Sequence, residues 1–277
     1  MALTDAPLII SLAVTLCIFL LLWAAFRGAE EGSGATRANF RGKRVVVCGG
    51  PLIAVAGSIG VAILIRSGEL PPSRVWVLLG ILLCMTAGLI DDFFGEKRTK
   101  GLRGHIRALI LDGRVTTGLV KILLIGGAAV VVLIPIDEGY SLFGLVLDLL
   151  LVTALAGLAN LLDTRPGRCL KGVGLLLLVS APLGSSGVLA DLSPLVLAAT
   201  AFLLLDLGEK AMLGDSGSNT VGFMAGVTLA MSQSLLVRGL LAAAALILNL
   251  VSERVSFTGI IERDPVLRWL DRLGRGE

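Results

Sequence analysis

The sequence predicts an all-α, polytopic transmembrane helix bundle of about nine spans, with the N-terminus outside and the C-terminus in the cytoplasm. Three observations lead there. Mean hydropathy is +0.91, with 55% hydrophobic and only 16% charged residues among 277. A soluble domain of this size has no use for so much apolar sequence, because a single core stops growing at such lengths. The apolar residues also come in blocks of roughly 20 with few internal charges, long enough to cross a bilayer as helix. Finally, Lys and Arg concentrate in alternate loops, as the positive-inside rule requires.

The first run, 8–26, has no basic segment before it and no clear small-residue cleavage site after it, so it reads as a span rather than a secretory signal. The runs that follow cover 45–65, 75–90, 119–136, 142–160, 173–189, 194–207, 220–233 and 235–251. The sixth to eighth are short and interrupted by small residues. Glycine is abundant, at 35 residues, as suits helices that approach closely in lipid. Cys17, Cys48, Cys84 and Cys169 are widely spaced and lack any CxxC pattern, which points to small apolar filler rather than a metal site or disulfide.

With the N-terminus outside, the loops at 27–44, 91–118, 161–172 and 208–219 and the tail from 252 face the cytoplasm and hold 20 of the 24 Lys and Arg. Lys121 lies just inside the fourth span, and Arg66, Arg74 and Arg238 remain outside. The chain therefore divides into a membrane domain, 1–251, and a basic tail, 252–277. The tail contains "RDPVLRWLDRLGR", a short amphipathic stretch that would lie along the inner membrane surface or remain an ordinary charged end. No internal repeat is evident, which argues against transporters built from duplicated halves. The basic residues flank the spans, so the expected partner is the lipid bilayer of the cell's inner (plasma) membrane and not nucleic acid.

Three acidic motifs fall on the same predicted face. Asp91 and Asp92 end the third span in "GLIDDFFG". Asn160 and Asp163, three apart in "NLLDTRPGR", share a helical face at the end of the fifth. Asp215 precedes the eighth in "MLGDSGSNTVG". Clustered carboxylates near lipid repel one another unless a cation neutralises them. Oxygen ligands with incomplete caging suit Mg²⁺, which binds one or two carboxylates plus substrate phosphates. The adjoining loop 95–107 is basic, and its Lys100, Arg103 and His105 are candidate phosphate contacts. Lys121 could reach the same phosphates by snorkelling or simply anchor its helix. Asp148 sits deep in the fifth span, about 18 Å from Asn160 at 1.5 Å per residue, so a structural partner such as Arg238 is expected for it.

The motifs "GLIDDFFG…KGLRGH", "NLLD" and "MLGDSGSNTVG", with "RGKRVVVCGGPL" at 41–52, occur in the order and topological places of the polyprenyl-phosphate N-acetylhexosamine-1-phosphate transferases, which this chain resembles over roughly residues 40–251. The resemblance implies a ten-span fold, with a cytoplasmic site that moves a phospho-sugar from a UDP-sugar donor to a polyprenyl phosphate acceptor. It would make 1–251 the transferase domain. Asp91, Asp92 and Asp215 match the catalytic aspartates, Asn160 and Asp163 the nucleotide-site motif, and Asp215 the magnesium ligand. Asp215 with Asp91 or Asp92 would hold Mg²⁺, Asp92 being the assigned partner. Direct attack by the lipid phosphate is the expected route, with an aspartyl-phosphate as the competing one.

The chain departs from the family pattern at several places. Thr164-Arg165-Pro166-Gly167 stands where a second Asp is usual, and Asp206 lies where an Asn is usual. A histidine-rich loop and a tenth span are absent from the sequence, and His105 is the one histidine. These departures motivate the alternative of a non-catalytic homologue that binds or scaffolds a lipid-linked intermediate. A homodimer is an admissible assembly for either reading.

Overall fold

The computed structural model describes residues 5–28, 35–95, 101–136, 141–185 and 187–276, without the side chains of 101–103, 106 and 136. Lys100 lies outside the described residues, and of Arg103 only the backbone is described. The elements run in the order α1 (Asp5–Phe26), β1 (Thr36–Ala38), β2 (Arg44–Val47), α2 (Ala56–Arg66), α3 (Val75–Phe94), α4 (Gly101–Asp112), α5 (Thr117–Ile136), α6 (Leu142–Leu162), α7 (Arg168–Ser180), α8 (Gly187–Asp191), α9 (Ser193–Leu207), β3 (Ala211–Met212), α10 (Gly214–Ser232), α11 (Leu235–Ser252), α12 (Phe257–Arg263) and α13 (Pro265–Arg272). The protein is nearly all-α, and the small sheet corrects the all-α expectation.

Five helices are long and apolar enough to cross a membrane: Asp5–Phe26, Pro72–Phe94, Thr117–Pro135, Leu142–Leu162 and Leu235–Ser252. Pro51–Arg66 and Ser193–Leu207 are apolar but shorter. The sixth expected run is broken: α7 stops at Ser180, a 3-10 turn covers Ala181–Leu183, and α8 follows separately. The second run begins as strand β2 and becomes helical only after Cys48, through a wide π-type turn at Pro51–Val55.

The centre of the bundle is α10, buried from Ser216 to Ala230 and packed chiefly against α6 and α3. It is not the most apolar helix, because other helices rather than the bundle's surface surround it. Its Gly222 and Gly226 let α6 approach at backbone distance. A Cβ on Gly222 would lie 2.4 Å from the Leu155 carbonyl oxygen, and one on Gly226 would lie 2.6 Å from the Val152 Cα. Small residues four apart permit this kind of helix contact in lipid. The outer helices bury only stripes. In α1 these are Ser11, Thr15 and Phe19, one per turn, with the Ser11 hydroxyl donating to the Gly60 carbonyl of α2. In α11 they are Ala242 and Ala245.

The sheet has order β1-β2-β3, with β1 antiparallel and β3 parallel to β2. Its register pairs Val46 with Ala211 and Val47 with Met212. Strands β2 and β3 thus run side by side into two helical segments. Gly49 and Gly50 make the junction possible, since a Cβ on either would come within 2.6 Å of Leu213 or Ser216. At the opposite end of the bundle, Asp148 of α6 is fully buried and accepts a 2.5 Å hydrogen bond from Arg238 Nη1 of α11, the pairing the sequence suggests.

Candidate functional site

The sheet end of the bundle gathers the acidic motifs around the N-terminus of α10. Gly214 opens that helix with φ +68°, a conformation that side chains resist, and a Cβ there would sit 2.2 Å from Val47 and 3.0 Å from both Asp92 carboxylate oxygens. Leu213, at the capping position, offers no side-chain acceptor. The cap comes instead from α3. Asp92 Oδ1 accepts the Asp215 backbone N–H at 3.0 Å, and Oδ2 accepts that of Ser216 at 2.9 Å. An aspartate here satisfies two otherwise orphaned donors and meets the positive end of the helix dipole. Gly88, one turn earlier on α3, allows the approach: its Cβ would lie 2.4 Å from the Ser216 Cα.

Asp91 points elsewhere, because adjacent helical residues do not share a face. Lys121, in the first turns of α5, reaches across with Nζ 2.6 Å from Asp91 Oδ2 and 2.9 Å from Asp215 Oδ2. The side chains of Asp91 and Lys121 are 14% and 13% exposed, while that of Asp215 is 31% exposed. Asp215 is therefore the most accessible acid of this group. The structure brings together Asp91, Asp92, Lys121 and Asp215.

Asn160 and Asp163 approach the same helix from α6. The Ser218 hydroxyl lies 3.1 Å from Asn160 Oδ1 and 2.8 Å from the Gly214 carbonyl. Asp163, just past the end of α6, accepts a hydrogen bond from the Gly214 backbone. Burial, followed by the nearby charges of Asp206, Asp215 and Asp92, pushes its carboxyl well above the usual carboxylate range. His105 sits on α4, with Nδ1 2.7 Å from the Thr116 hydroxyl and its ring against Gly118. Thr116 Oγ1 also accepts from the Leu119 backbone, so the contact ties α4 to the start of α5.

Two features of this end escape sequence reasoning. Asp206 of α9 is buried and accepts the Gly167 backbone N–H at 2.8 Å, which anchors the loop after Asp163. The tail is docked rather than free. Arg168 makes a two-pronged bond to Asp271 at 2.8 and 2.9 Å, Arg275 grips the same carboxylate, and Lys171 Nζ donates to the carbonyls of Leu270, Asp271 and Leu273. Arg168 and Lys171 lie about a hundred residues from their partners in the tail, so no local motif announces the contact.

Among the described residues no three His, Cys, Asp or Glu side chains gather as a metal site. The protein would therefore supply two carboxylates, Asp91 and Asp215, whose oxygens already converge on one cation. That donor set fits Mg²⁺ completed by phosphate oxygens and water. The Asp92 oxygens are committed to backbone amides. Comparison with known proteins finds no family model and no curated protein that matches this chain.

Proposed function

We propose that this protein is a magnesium-dependent sugar-1-phosphate transferase, which moves a phospho-sugar from a UDP-sugar to polyprenyl phosphate and releases UMP, in the synthesis of cell-envelope glycan precursors. The observation that carries the reading is the convergence of Asp91, Asp215 and Lys121 beside the α10 N-terminus. A bare scaffold gains nothing from two carboxylates and an ammonium gathered where burial is costly. We further propose nine crossings of the plasma membrane, with the N-terminus outside and the acidic end in the cytoplasm.

In this mechanism the lipid phosphate needs little activation, since a phosphate monoester loses its second proton near pH 6. One of its oxygens attacks the β-phosphorus of the donor. The bond from that phosphorus to the α–β bridging oxygen breaks, and UMP leaves with the oxygen. Asp91 and Asp215 would hold Mg²⁺, which supplies neutralisation of the diphosphate when bound. Lys121, whose ammonium would yield its place between the two carboxylates to the ion, would turn its positive charge toward the phosphates. Asn160 and Asp163 orient the nucleotide from α6, and Asp92 acts by keeping the α10 N-terminus in place. Positioning and charge do the chemistry, as phosphoryl transfer demands.

Purified protein with Mg²⁺, polyprenyl phosphate and a panel of radiolabelled UDP-sugars should yield labelled lipid and UMP, and Asp215→Asn should abolish the product. Folded protein that turns over no donor would overturn the enzyme reading. One observation favours the non-catalytic alternative: the Nδ1 of the chain's one histidine is engaged with Thr116 in a contact that ties α4 to α5. That alternative expects binding of a lipid-linked diphosphate without turnover in the same assay.

A further inference from the structure

A cleft of about 530 Å³ runs along the outside of the bundle between α7 and α9, with Val221 and Met224 of α10 at its back. Its walls are almost wholly apolar, from Val173, Leu177, Val196 and Leu203 among others. Along α7 it extends from Lys171 to Leu178, about 10 Å at 1.5 Å per residue. That is about two thirds of one leaflet of a ~30 Å hydrocarbon core. Leu175 and Leu178 stand at its edge, 52% and 71% exposed, so the cleft opens sideways where α7 faces outward. An apolar hollow does not hold water.

The roof of the cleft is the docked tail. Leu267, Leu270 and Leu273 of α13 and the turn after it close the sheet end. On the neighbouring stripe of that helix stand Arg268 and Arg272, four apart and exposed to solvent. Below them the Asp271 carboxylate is shared between Arg168 and Arg275, with Lys171 alongside. Among the described residues of this rim, the cations Arg168, Lys171, Arg268, Arg272 and Arg275 outnumber the acids Asp206, Asp264 (one turn before Arg268) and Asp271. None of Asp91, Asp92, Lys121 and Asp215 lines the cleft.

We propose that this cleft is a lipid site separate from the acidic cluster. It holds one acyl chain of an anionic glycerophospholipid from the adjoining leaflet, with the headgroup phosphate at Arg268 and Arg272. The apolar channel selects hydrocarbon, and the excess positive charge at its roof selects the anionic headgroup. Anionic lipids are drawn to such basic segments at the membrane surface. The bound lipid joins α7, α9 and α13, so it fastens the tail to the bundle. This site does not depend on the transferase reading.

Native mass spectrometry on the full-length protein, delipidated in detergent and then titrated with phosphatidylglycerol or phosphatidylcholine of matched chains, tests the proposal. One phosphatidylglycerol should be retained per chain, with phosphatidylcholine weaker by about tenfold or more. Gly174→Phe fills the cleft from a position where a Cβ meets nothing within 4 Å, and it should lose the retained lipid while melting like the native protein. Arg268→Gln with Arg272→Gln should erase the headgroup preference without blocking the chain. Equal retention of the two lipids by native protein would overturn the proposal, as would displacement by polyprenyl phosphate at equal concentration. So would full retention by a folded Gly174→Phe variant.

Discussion

Asp91 and Asp92 are neighbours in sequence yet serve different ends, because an α-helix turns about 100° per residue. One faces Lys121, and the other caps α10. Their adjacency marks the end of an apolar run but not this division, since nothing local says which aspartate meets a helix 123 residues away. Asp92→Ala leaves two backbone donors without their acceptor, at about 1–3 kcal/mol each. The variant should melt well below the native protein in detergent, whereas Asp92→Asn, which keeps one acceptor oxygen, should fall between. An Asp92→Ala protein with native melting would end the capping assignment. Lys121 makes the opposite contribution, for its ammonium stands where a divalent ion between Asp91 and Asp215 would stand. In Lys121→Met the two carboxylates repel without a counter-charge. Mg²⁺ should therefore raise the melting temperature of Lys121→Met by more than it raises the native value, and it should leave Asp215→Asn almost unmoved.

At the scale of elements, long apolar helices are the part most legible in sequence, because their periodicity and length speak for themselves. The sheet is not, as strands of two to four residues carry too few positions for alternation to register. The apolar run of the eighth span starts at 220, yet α10 begins at Gly214, since the cap that begins it belongs to another helix. The tail illustrates the same limit. Its amphipathic pattern is plain, and Val266 and Trp269 remain exposed on one side of α13. What fixes it is a carboxylate held between the distant Arg168 and the neighbouring Arg275. Burial raises the Asp271 carboxyl, but the hydrogen bonds of Arg168 and Arg275 outweigh it and hold the group at about 2, below its ordinary 3.8. A depressed carboxyl contributes stability above its unfolded value and loses it as pH falls through the folded one. Tail docking should therefore persist from neutral pH to about 4 and give way between about 4 and 2, read as the onset of pepsin cleavage within 257–276. Asp271→Asn removes the charge at every pH, so trypsin should cut after Arg263 or Arg268 already at pH 7.

For the whole molecule, the sequence places the acidic motifs on one side through charge asymmetry, and the contacts among Asp91, Asn160, Asp163 and Asp215 are consistent with that grouping. The number of crossings is harder to read, because α2 and α9 are apolar without being long. The helical stretch Pro51–Arg66 spans about 24 Å at 1.5 Å per residue, short of the ~30 Å core. A short helix can still cross if the bilayer thins around it or flanking side chains snorkel, each at a modest cost. Arg66 at its far end is placed to do so. If α2 crosses, Lys43 in the β1–β2 turn and Ser67 after α2, both exposed, lie on opposite sides of the membrane. In a background without native cysteines, Ser67→Cys should react with an impermeant maleimide added to intact cells, and Lys43→Cys only after permeabilisation. The three buried cysteines, Cys48, Cys84 and Cys169, sit in tight packing, so serine or alanine is the replacement for each. Labelling of both positions from the same side would make α2 a re-entrant segment. The count would then fall below nine, and the parity that puts both the tail and the acidic end in the cytoplasm would fail with it.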